Sequence, residues 1–484
     1  MTQATLYQVN PAVIGMTGAE AALFNRLLRE WGRHVSSNAR NEAYYNARHM
    51  LRNVDMGVPE QLKGLRTVCG WPAKAVDSLA SRSVLNGFVS DGSAADDLAE
   101  VVQANDMREL YRQALTSELI SSCSFLTVSR GLPGEPPVLV SAYSALNASA
   151  IWDERRKRIR AGIAVVDVTE DAGGRKTPSW VNMYTDEFTY VCRRMRNGRW
   201  SVDRAENPLG RPLMEPLRYR PTLDRPFGKS RISRAVRSIT DEAVLATTNA
   251  AVAAVFYTYP QRYLLGVDRK TAETYAASKL EAYIDRMLMI TANKNGDIPQ
   301  YGQLAQMSMQ PHSDYLQTLA KRFAGETSVP LNSLGIVFDN PSSAEAMYAS
   351  QNDLIIEAEW LNAYNGAALR TVALMALAQL RGTDLDGLSD DDRSIEAHFE
   401  NPQRPSMAAR ADFALKVASA VPEYAQTDSF WRDLGYEEAE IRSIRKELRY
   451  VNASRFLAQQ QTRAGLPAVT NQTQQQAGGQ QPQQ

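Results

Sequence analysis

Three cysteines, Cys69, Cys123 and Cys192, stand far apart with no CxxC spacing, which argues against a disulfide framework or a zinc site and for a reducing compartment. Histidine is equally scarce: His34, His49, His312 and His398 fall in different elements, with no HxxxH or HExxH spacing and no partner nucleophile. No catalytic residue, metal ligand or cofactor site is therefore expected. Net charge is absent too, since 54 Lys and Arg balance 54 Asp and Glu. A chain without a global positive field is unsuited to tight nonspecific DNA binding, which depends on neutralising phosphates, and zero net charge favours self-association. Long hydrophobic runs are missing. The most apolar windows, Val244 to Tyr257 and Thr371 to Leu380, are too short to span a bilayer, and MTQATLYQVN has no signal-peptide pattern. A soluble protein made inside a cell, with no membrane partner, is expected. No repeat recurs at solenoid periods.

What is present is enough to build a core: 484 residues, 44% of them apolar. Residues 17 to 130 read as mostly helical, with Ala19 to Ser36 and Asp97 to Val128 carrying apolar residues at helical spacing. From about Pro136 to Pro221 strands dominate. Ala150 to Val168 has two apolar ends around a charged turn, and Asn197-Gly198 sits between strand-like flanks, a strong hairpin signal. Helix returns from Gly228 to Tyr257, with an Ala- and Thr-rich second half that suits either a buried core helix or copies packed side by side. Residues 261 to 310 form a small α/β excursion: a strand over QRYLLGV, a helix over Thr271 to Asp285, a strand over MLMI and a turn at Asn293 to Gly296. Ser406 to Ala420 and Tyr436 to Gln461 are helical, and the Gln-rich Gly465 to Gln484 reads as disordered. The class is α+β and mainly helical.

The most informative stretch is a short helix, a polar break FAGETSVPLNSLGIVFDNPSSAEAM from Phe323 to Met347, and then a very long helix. Asn340-Pro341 fixes the entry to that helix, Ser342 can cap it and Glu345 completes a capping box. No breaker follows before Gly366, and helix formers continue to about Leu380, a span of roughly 50 Å. Helices flanking a constrained loop suggest a moving or lining part of a larger assembly.

Other motifs weaken on inspection. FGKS at Phe227 to Ser230 imitates a phosphate-binding loop, but Leu223 stands where its first glycine belongs and Pro226 removes an N–H, so Gly228 reads as a plain helix entry. The acidic GTDLDGLSDDDRS around Asp384 and Asp390 to Asp392 fails the ligand order of a calcium loop and reads as a solvated turn before a strand Ser394 to Phe399. The clusters Arg155, Arg156, Lys157, Arg158 and Arg193, Arg194, Arg196, Arg199 sit on hairpins, as solvated tips or as a surface for an acidic partner. Arg231, Arg234 and Arg237 share one side of the predicted helix, where an inter-subunit salt bridge and a channel contact are both open.

Seven stretches stand in a telling order: EAYYNARHML at Glu42 to Leu51, LKGLRTVCGWPAKAVDSLASRSVLNGF at Leu62 to Phe88, RPFGKSRIS at Arg225 to Ser233 and PQRYLLG at Pro260 to Gly266. Then come GIVFDNPSSAEAM at Gly335 to Met347, FENPQRPSMAARADFALK at Phe399 to Lys416 and LGY at Leu434 to Tyr436. In that succession the chain resembles tailed-bacteriophage portal proteins of the siphophage type. No single motif is diagnostic; their succession over roughly residues 20 to 460 carries the resemblance.

The resemblance implies a portal fold: an N-terminal wing over 1 to 227 with its β-rich part at 136 to 221, and stem helices at 228 to 257 and 311 to 326. Between them lies a clip at 258 to 310. A tunnel loop at 327 to 341 follows, then the long helix and remaining wing at 342 to 405, crown helices at 406 to 464 and the tail. It implies a ring homo-oligomer, usually a dodecamer, at one capsid vertex of the virion, assembled in the host cytoplasm. Double-stranded DNA passes through its channel, and its partners are the terminase large subunit, a head-tail adaptor, and the major capsid and scaffolding proteins. Asn332, Ser333, Asp339 and Asn340 would face the DNA, and Arg231, Arg234, Arg237, Lys321 and Arg322 would make the stem contacts. The glutamine tail has no role in this scheme. The alternatives are another phage head protein, such as a minor capsid protein, and a degenerate nucleotide-binding enzyme using Lys229 and Ser230.

Overall fold

The computed structural model describes residues 15–49, 67–170, 176–258, 262–267, 287–291, 300–303, 308–335, 351–403, 407–436 and 438–463. They fall in two compact units, Met1–Pro402 and Gln403–Gln484.

The first unit begins with helix α1, Gly18–Tyr45, whose start is set by a capping box: the Glu20 N–H donates to Thr17 Oγ1 and the Thr17 N–H to Glu20 Oε2. Its buried Phe24, Leu27 and Leu28 pack on a five-stranded antiparallel meander. The strands are β4 (Ala148–Asp153), β5 (Arg158–Glu170), β6 (Lys176–Tyr184), β7 (Phe188–Arg194) and β8 (Trp200–Glu206). Alternate residues Ile163, Val165, Val181, Met183, Tyr190 and Cys192 face α1, and Phe24 meets the Trp200 ring edge-on at 5.6 Å. Both predicted hairpins are present. Gly198, at φ +81°, turns the β7–β8 connection, while Asp153 accepts N–H bonds from Arg155 and Arg156 in the β4–β5 turn. The basic tips are partly neutralised within the unit, with Lys157 on Glu154 and both Arg156 and Arg158 on Asp186.

The larger core lies around helix α4 (Met107–Ser121), the sheet β3-β2-β9 (Val138–Ser144, Cys123–Arg130, Met214–Arg218) and the long helix. Its fully buried Tyr111, Leu115, Leu119, Phe125 and Leu126 each contribute on the order of 1.5–3 kcal/mol of transfer free energy. The run Asp97 to Val128, expected to be mostly helical, is helical in α3 (Ala94–Ala104) and α4 but ends in strand β2. Two left-handed residues make the breaks, Asp106 at φ +44° and Ser122 at φ +96°. Helix α2 (Trp71–Ala80) takes Pro72 in its first turn, as expected for a residue with no N–H to lose. Strand β1 (Leu85–Val89) pairs with β13 (Glu396–Phe399) across more than three hundred residues of chain.

The first predicted stem helix is α5, Arg234–Thr258. It does not begin at Gly228, because that residue sits in a turn at φ +73° and the chain stays irregular through Ser233. Beyond α5, strand β10 (Arg262–Val267) pairs parallel with β11 (Met287–Thr291) and antiparallel with β12 (Gln300–Gln303), the expected α/β excursion in part. The predicted helix Thr271 to Asp285 and turn Asn293 to Gly296 lie outside the described residues. Helix α6, Gln310–Thr327, returns beside α5.

The long helix is α7, Asn352–Arg381, of 30 residues. It starts later than expected: Gln351 is in a turn, and the predicted cap Ser342 with Glu345 lies outside the described residues. It passes through Gly366, which lies beside the Phe399 ring of β13, and ends at Gly382 in the left-handed conformation. The acidic loop after it is not a solvated turn. It forms a one-turn helix α8, Asp390–Arg393, capped by Ser389. Asp391 accepts from the Ser93 and Ala94 N–H groups at the start of α3, and Asp392, fully buried, pairs with Arg381 at 2.6 Å.

The second unit holds helices α9 (Met407–Ala420), α10 (Asp428–Leu434) and α11 (Glu438–Arg463), with a 3-10 turn at Pro422–Gln426. Sequence periodicity gave the two longer helices but not α10, whose start is capped by Thr427 and whose end is turned by Gly435 at φ +100°. The tail Gly465 to Gln484 lies outside the described residues. No described helix is long and apolar enough to cross a membrane.

Candidate channel segment and its anchor

Residues Ser328 to Gly335 leave the end of α6 and lead toward the long helix. Ser328 turns the chain at φ +55°, Val329 and Pro330 are buried, and Leu331–Leu334 forms a 3-10 turn closed by Gly335 at φ +83°. Asn332 and Ser333 are both exposed on this turn. Asp339 and Asn340 lie outside the described residues.

One side chain joins the start of this segment to the long helix. Arg231, only 5% exposed, stands in the irregular stretch before α5 and reaches three helices and Tyr219. Its Nε donates to Ala75 O at 2.7 Å in α2, and one terminal nitrogen donates to Thr327 O at 2.6 Å, the last residue of α6. The other donates to the Tyr219 hydroxyl at 2.8 Å and meets Glu357 of α7 at 2.6 Å. Tyr219 itself donates to Glu357, and Arg220 adds a second cation to that carboxylate at 2.9 Å. Burial acts to lower the Arg231 pKa, but Tyr219 and Glu357 beside it prevail and hold it above its ordinary value. Burial, joined by the Glu357 charge and opposed by Arg231, pushes the Tyr219 hydroxyl up to about 12. A planar guanidinium supplies five donors in a fixed fork, which an ammonium cannot copy.

A second buried polar cluster locks α4 to the long helix. Asn365 donates to Glu118 at 2.8 Å and to the Tyr111 hydroxyl at 3.2 Å, and Tyr111 shares a hydrogen bond with Ser83 at 2.7 Å. Burial pushes the Glu118 carboxyl up to about 8, against the Asn365 hydrogen bond and the Arg218 charge, so it holds its proton at neutral pH.

Helices α5 and α6 meet through small and apolar residues, with Ala243 and Ala246 buried on α5 and Leu319, Ala320 and Phe323 on α6. Arg322 joins them by an ion pair with Glu242 at 2.8 Å. Of the other predicted stem residues, Arg237 donates to Asn41 Oδ1 and to Ile232 O, both at 2.8 Å. Arg234 and Lys321 are exposed. Arg231 does not share their face, because it precedes the helix and turns inward. The three-residue spacing is regular in sequence, but helical geometry begins only at Arg234.

The FGKS stretch is a structural lock and opens no helix. A Cβ on Gly228 would lie 2.2 Å from Tyr219 O, Lys229 N–H donates to that same carbonyl at 3.0 Å, and Ser230 Oγ donates to Ile120 O. Its glycine and serine are occupied by neighbouring backbone, leaving no cradle of free N–H groups for phosphate. Among the described residues, no group of three or more His, Cys, Asp or Glu could hold a metal ion.

Helices α6 and α7, joined by a buried guanidinium beside an exposed turn, form a scaffold that presents a segment. The chain belongs to the phage portal protein family, SPP1 Gp6-like, whose model matches residues 25–453. It is 28% identical over 421 residues to the portal protein of Mycobacterium phage D29, and 27% over 426 residues to that of Mycobacterium phage L5. In each case 84% of this chain and 84% of the relative are covered. A solved structure titled the neck of an empty GTA particle computed with C6 symmetry matches 73% of this chain and 87% of its own at 14% identity, with a TM-score of 0.42. Portal proteins are components of the phage particle, so the chain is a virion structural protein.

Proposed function

We propose that copies of this chain close into a ring, usually of twelve in this family, at one capsid vertex, and that double-stranded DNA passes through its axis during packaging and ejection. The observation that carries this reading is the Arg231 anchor. One buried side chain binds the residue before the turn and a residue early in the helix after it, so the segment from Ser328 onward projects from a fixed base. Asn332 and Ser333 on that turn, with Asp339 and Asn340 further along, face the DNA. A polar, weakly charged lining suits a strand that must slide.

In this assignment the α1 unit with its sheets is the wing, α5 and α6 are the stem, the β10–β12 region is the clip, and the C-terminal helices are the crown. The clip receives the terminase large subunit and later a head-tail adaptor, and the ring assembles in the host cytoplasm with scaffolding and major capsid proteins. The chain turns over no substrate. The family's mechanics ask only for positioning, and Lys229 and Ser230 offer no nucleotide site. Negative-stain electron microscopy with a light-scattering mass tests this. Rings with a central hole and a mass near twelve subunits are expected; shells or filaments would overturn it in favour of another head protein.

A further inference from the structure

The long helix carries an aromatic face that is exposed among the described residues. Ile356, Trp360 and Tyr364, at i, i+4 and i+8 of α7, are 43%, 62% and 37% exposed, and the Trp360 and Tyr364 rings stack with centroids 6.3 Å apart at 28°. Ala363 and Ala367 continue the stripe, also exposed. A tryptophan is a costly residue to leave in water on a structural helix, and exposed aromatic stripes of this kind mark interaction sites. The face is also one-signed: from Asn352 to Leu369 there is no lysine or arginine, and Asp353 and Glu359 flank the stripe, both exposed.

The same chain offers a surface of the opposite character. The outer face of α5 shows Arg234, Ser238 and the 43% exposed Leu245 at helical spacing, with Glu242 between them neutralised by Arg322 of the adjacent α6 and Lys321 exposed beside that pair. An acidic, aromatic helix face on one element and a basic, aliphatic one on another are complementary and distinct. That pairing is what a head-to-tail contact needs, because each copy gives one face and receives the other, and rotation closes the set. A symmetric two-fold contact would instead bring Asp353 and Glu359 against their own copies.

We propose that the Ile356–Trp360–Tyr364 stripe of α7 seats on the outer face of α5 in a neighbouring copy of this chain, with Asp353 and Glu359 directed at Arg234 and Lys321. The inference rests on the ring reading and names one contact that closes the ring.

The full chain carrying the photo-crosslinker benzoylphenylalanine at position 360 is irradiated, and the joined peptides are identified by mass spectrometry. Inter-copy links into residues 230–250 or 310–327 are expected. Links to any other region, or none, would overturn the contact. In parallel, Trp360→Glu is expected to raise the concentration for half-assembly by about tenfold or more in light scattering. Because Trp360 is exposed, the thermal melt of the unassembled variant should match that of unassembled wild type. Glu359→Arg and Arg234→Glu should each weaken assembly, and the two together should restore it. Rings formed equally well by wild type and Trp360→Glu would sink this contact and leave the ring reading standing. A wild-type chain that stays monomeric would overturn both.

Discussion

Arg231 shows how far one residue can be misjudged from its neighbours in sequence. Its spacing to Arg234 and Arg237 invites a shared helical face, yet its guanidinium is enclosed by Ala75, Tyr219, Thr327 and Glu357. A usable signal was present in Ser233, whose hydroxyl accepts from the Val236 N–H and marks where the helix begins, leaving Arg231 outside it. Arg231→Ala would leave Glu357 to Tyr219 and the half-exposed Arg220 and would strip the Ala75 and Thr327 carbonyls of their donor, a loss of about 3 kcal/mol. Arg231→Lys should recover only a small part, since an ammonium cannot serve Ala75, Thr327 and Glu357 together. Chemical denaturation of both variants checks this; a lysine variant as stable as wild type would mean that the fork geometry is not what holds the site.

Glu118 makes a prediction of opposite chemistry. Its folded pKa, raised to about 8 by burial, lies above the ordinary carboxyl value, so the folded chain keeps a proton that the unfolded chain has released. Stability from this group is fully present below about pH 4 and falls as pH rises toward 8. Glu118→Gln removes the titration and keeps the hydrogen-bonding shape, so it should raise the melting temperature at pH 8 relative to wild type and change it least near pH 5. Thermal melts across that range decide it; a gap that does not grow with pH would show that Glu118 ionises freely in the fold.

Among elements, legibility followed how local the determinant was. The β7–β8 hairpin was readable because Asn197-Gly198 alone supplies the left-handed residue that its turn requires. Helices α5, α6 and most of α7 were readable because helix formers run unbroken, even through Gly366. The breaks at Asp106 and Ser122 were not, since neither is a glycine and each takes its positive φ only because α4 must sit between α3 and β2. The β1–β13 pair was invisible for a related reason: Leu85↔Phe399 registry depends on contacts hundreds of residues apart. At the candidate site, sequence found the loop and lost its anchor. Asn332 and Ser333 announce a turn through Pro330 and Gly335, whereas Glu357 is one acid in a helix whose buried face, Asn365 apart, is apolar.

The turn from Tyr219 to Ser230 gives this scale its own test. Gly228 is both at φ +73° and in contact with the Tyr219 carbonyl, so Gly228→Ala combines backbone strain with a clash and should cost about 1–3 kcal/mol or more. Lys229→Ala, on an exposed side chain, should be within about 0.5 kcal/mol of wild type. A phosphate-binding loop predicts another pattern, in which millimolar ATP and magnesium raise the melting temperature and Lys229→Ala abolishes the rise. Differential scanning fluorimetry separates the two, and a nucleotide-dependent shift would revive the enzyme reading.

At the scale of the whole molecule, charge balance becomes a statement about friction. Each phosphate that a protein neutralises releases counterions, and the affinity so gained is also a barrier to sliding. With 54 basic and 54 acidic residues, and hairpin residues Arg156, Arg158 and Lys157 already paired with Asp186 and Glu154, the chain has little positive field to spend on DNA. Multiplying it around a ring multiplies zero. Assembled protein should therefore bind duplex DNA no more tightly than roughly 10⁻⁵ M at ~0.15 M salt, with only a shallow loss of affinity as salt rises. Fluorescence anisotropy with a labelled duplex, repeated at several salt concentrations, measures both. A slope of log K against log salt near −5 or steeper would mean that about six phosphates are held at once. A channel lined that way would grip the genome, and the assignment of Asn332 and Ser333 to a low-friction turn would have to be abandoned.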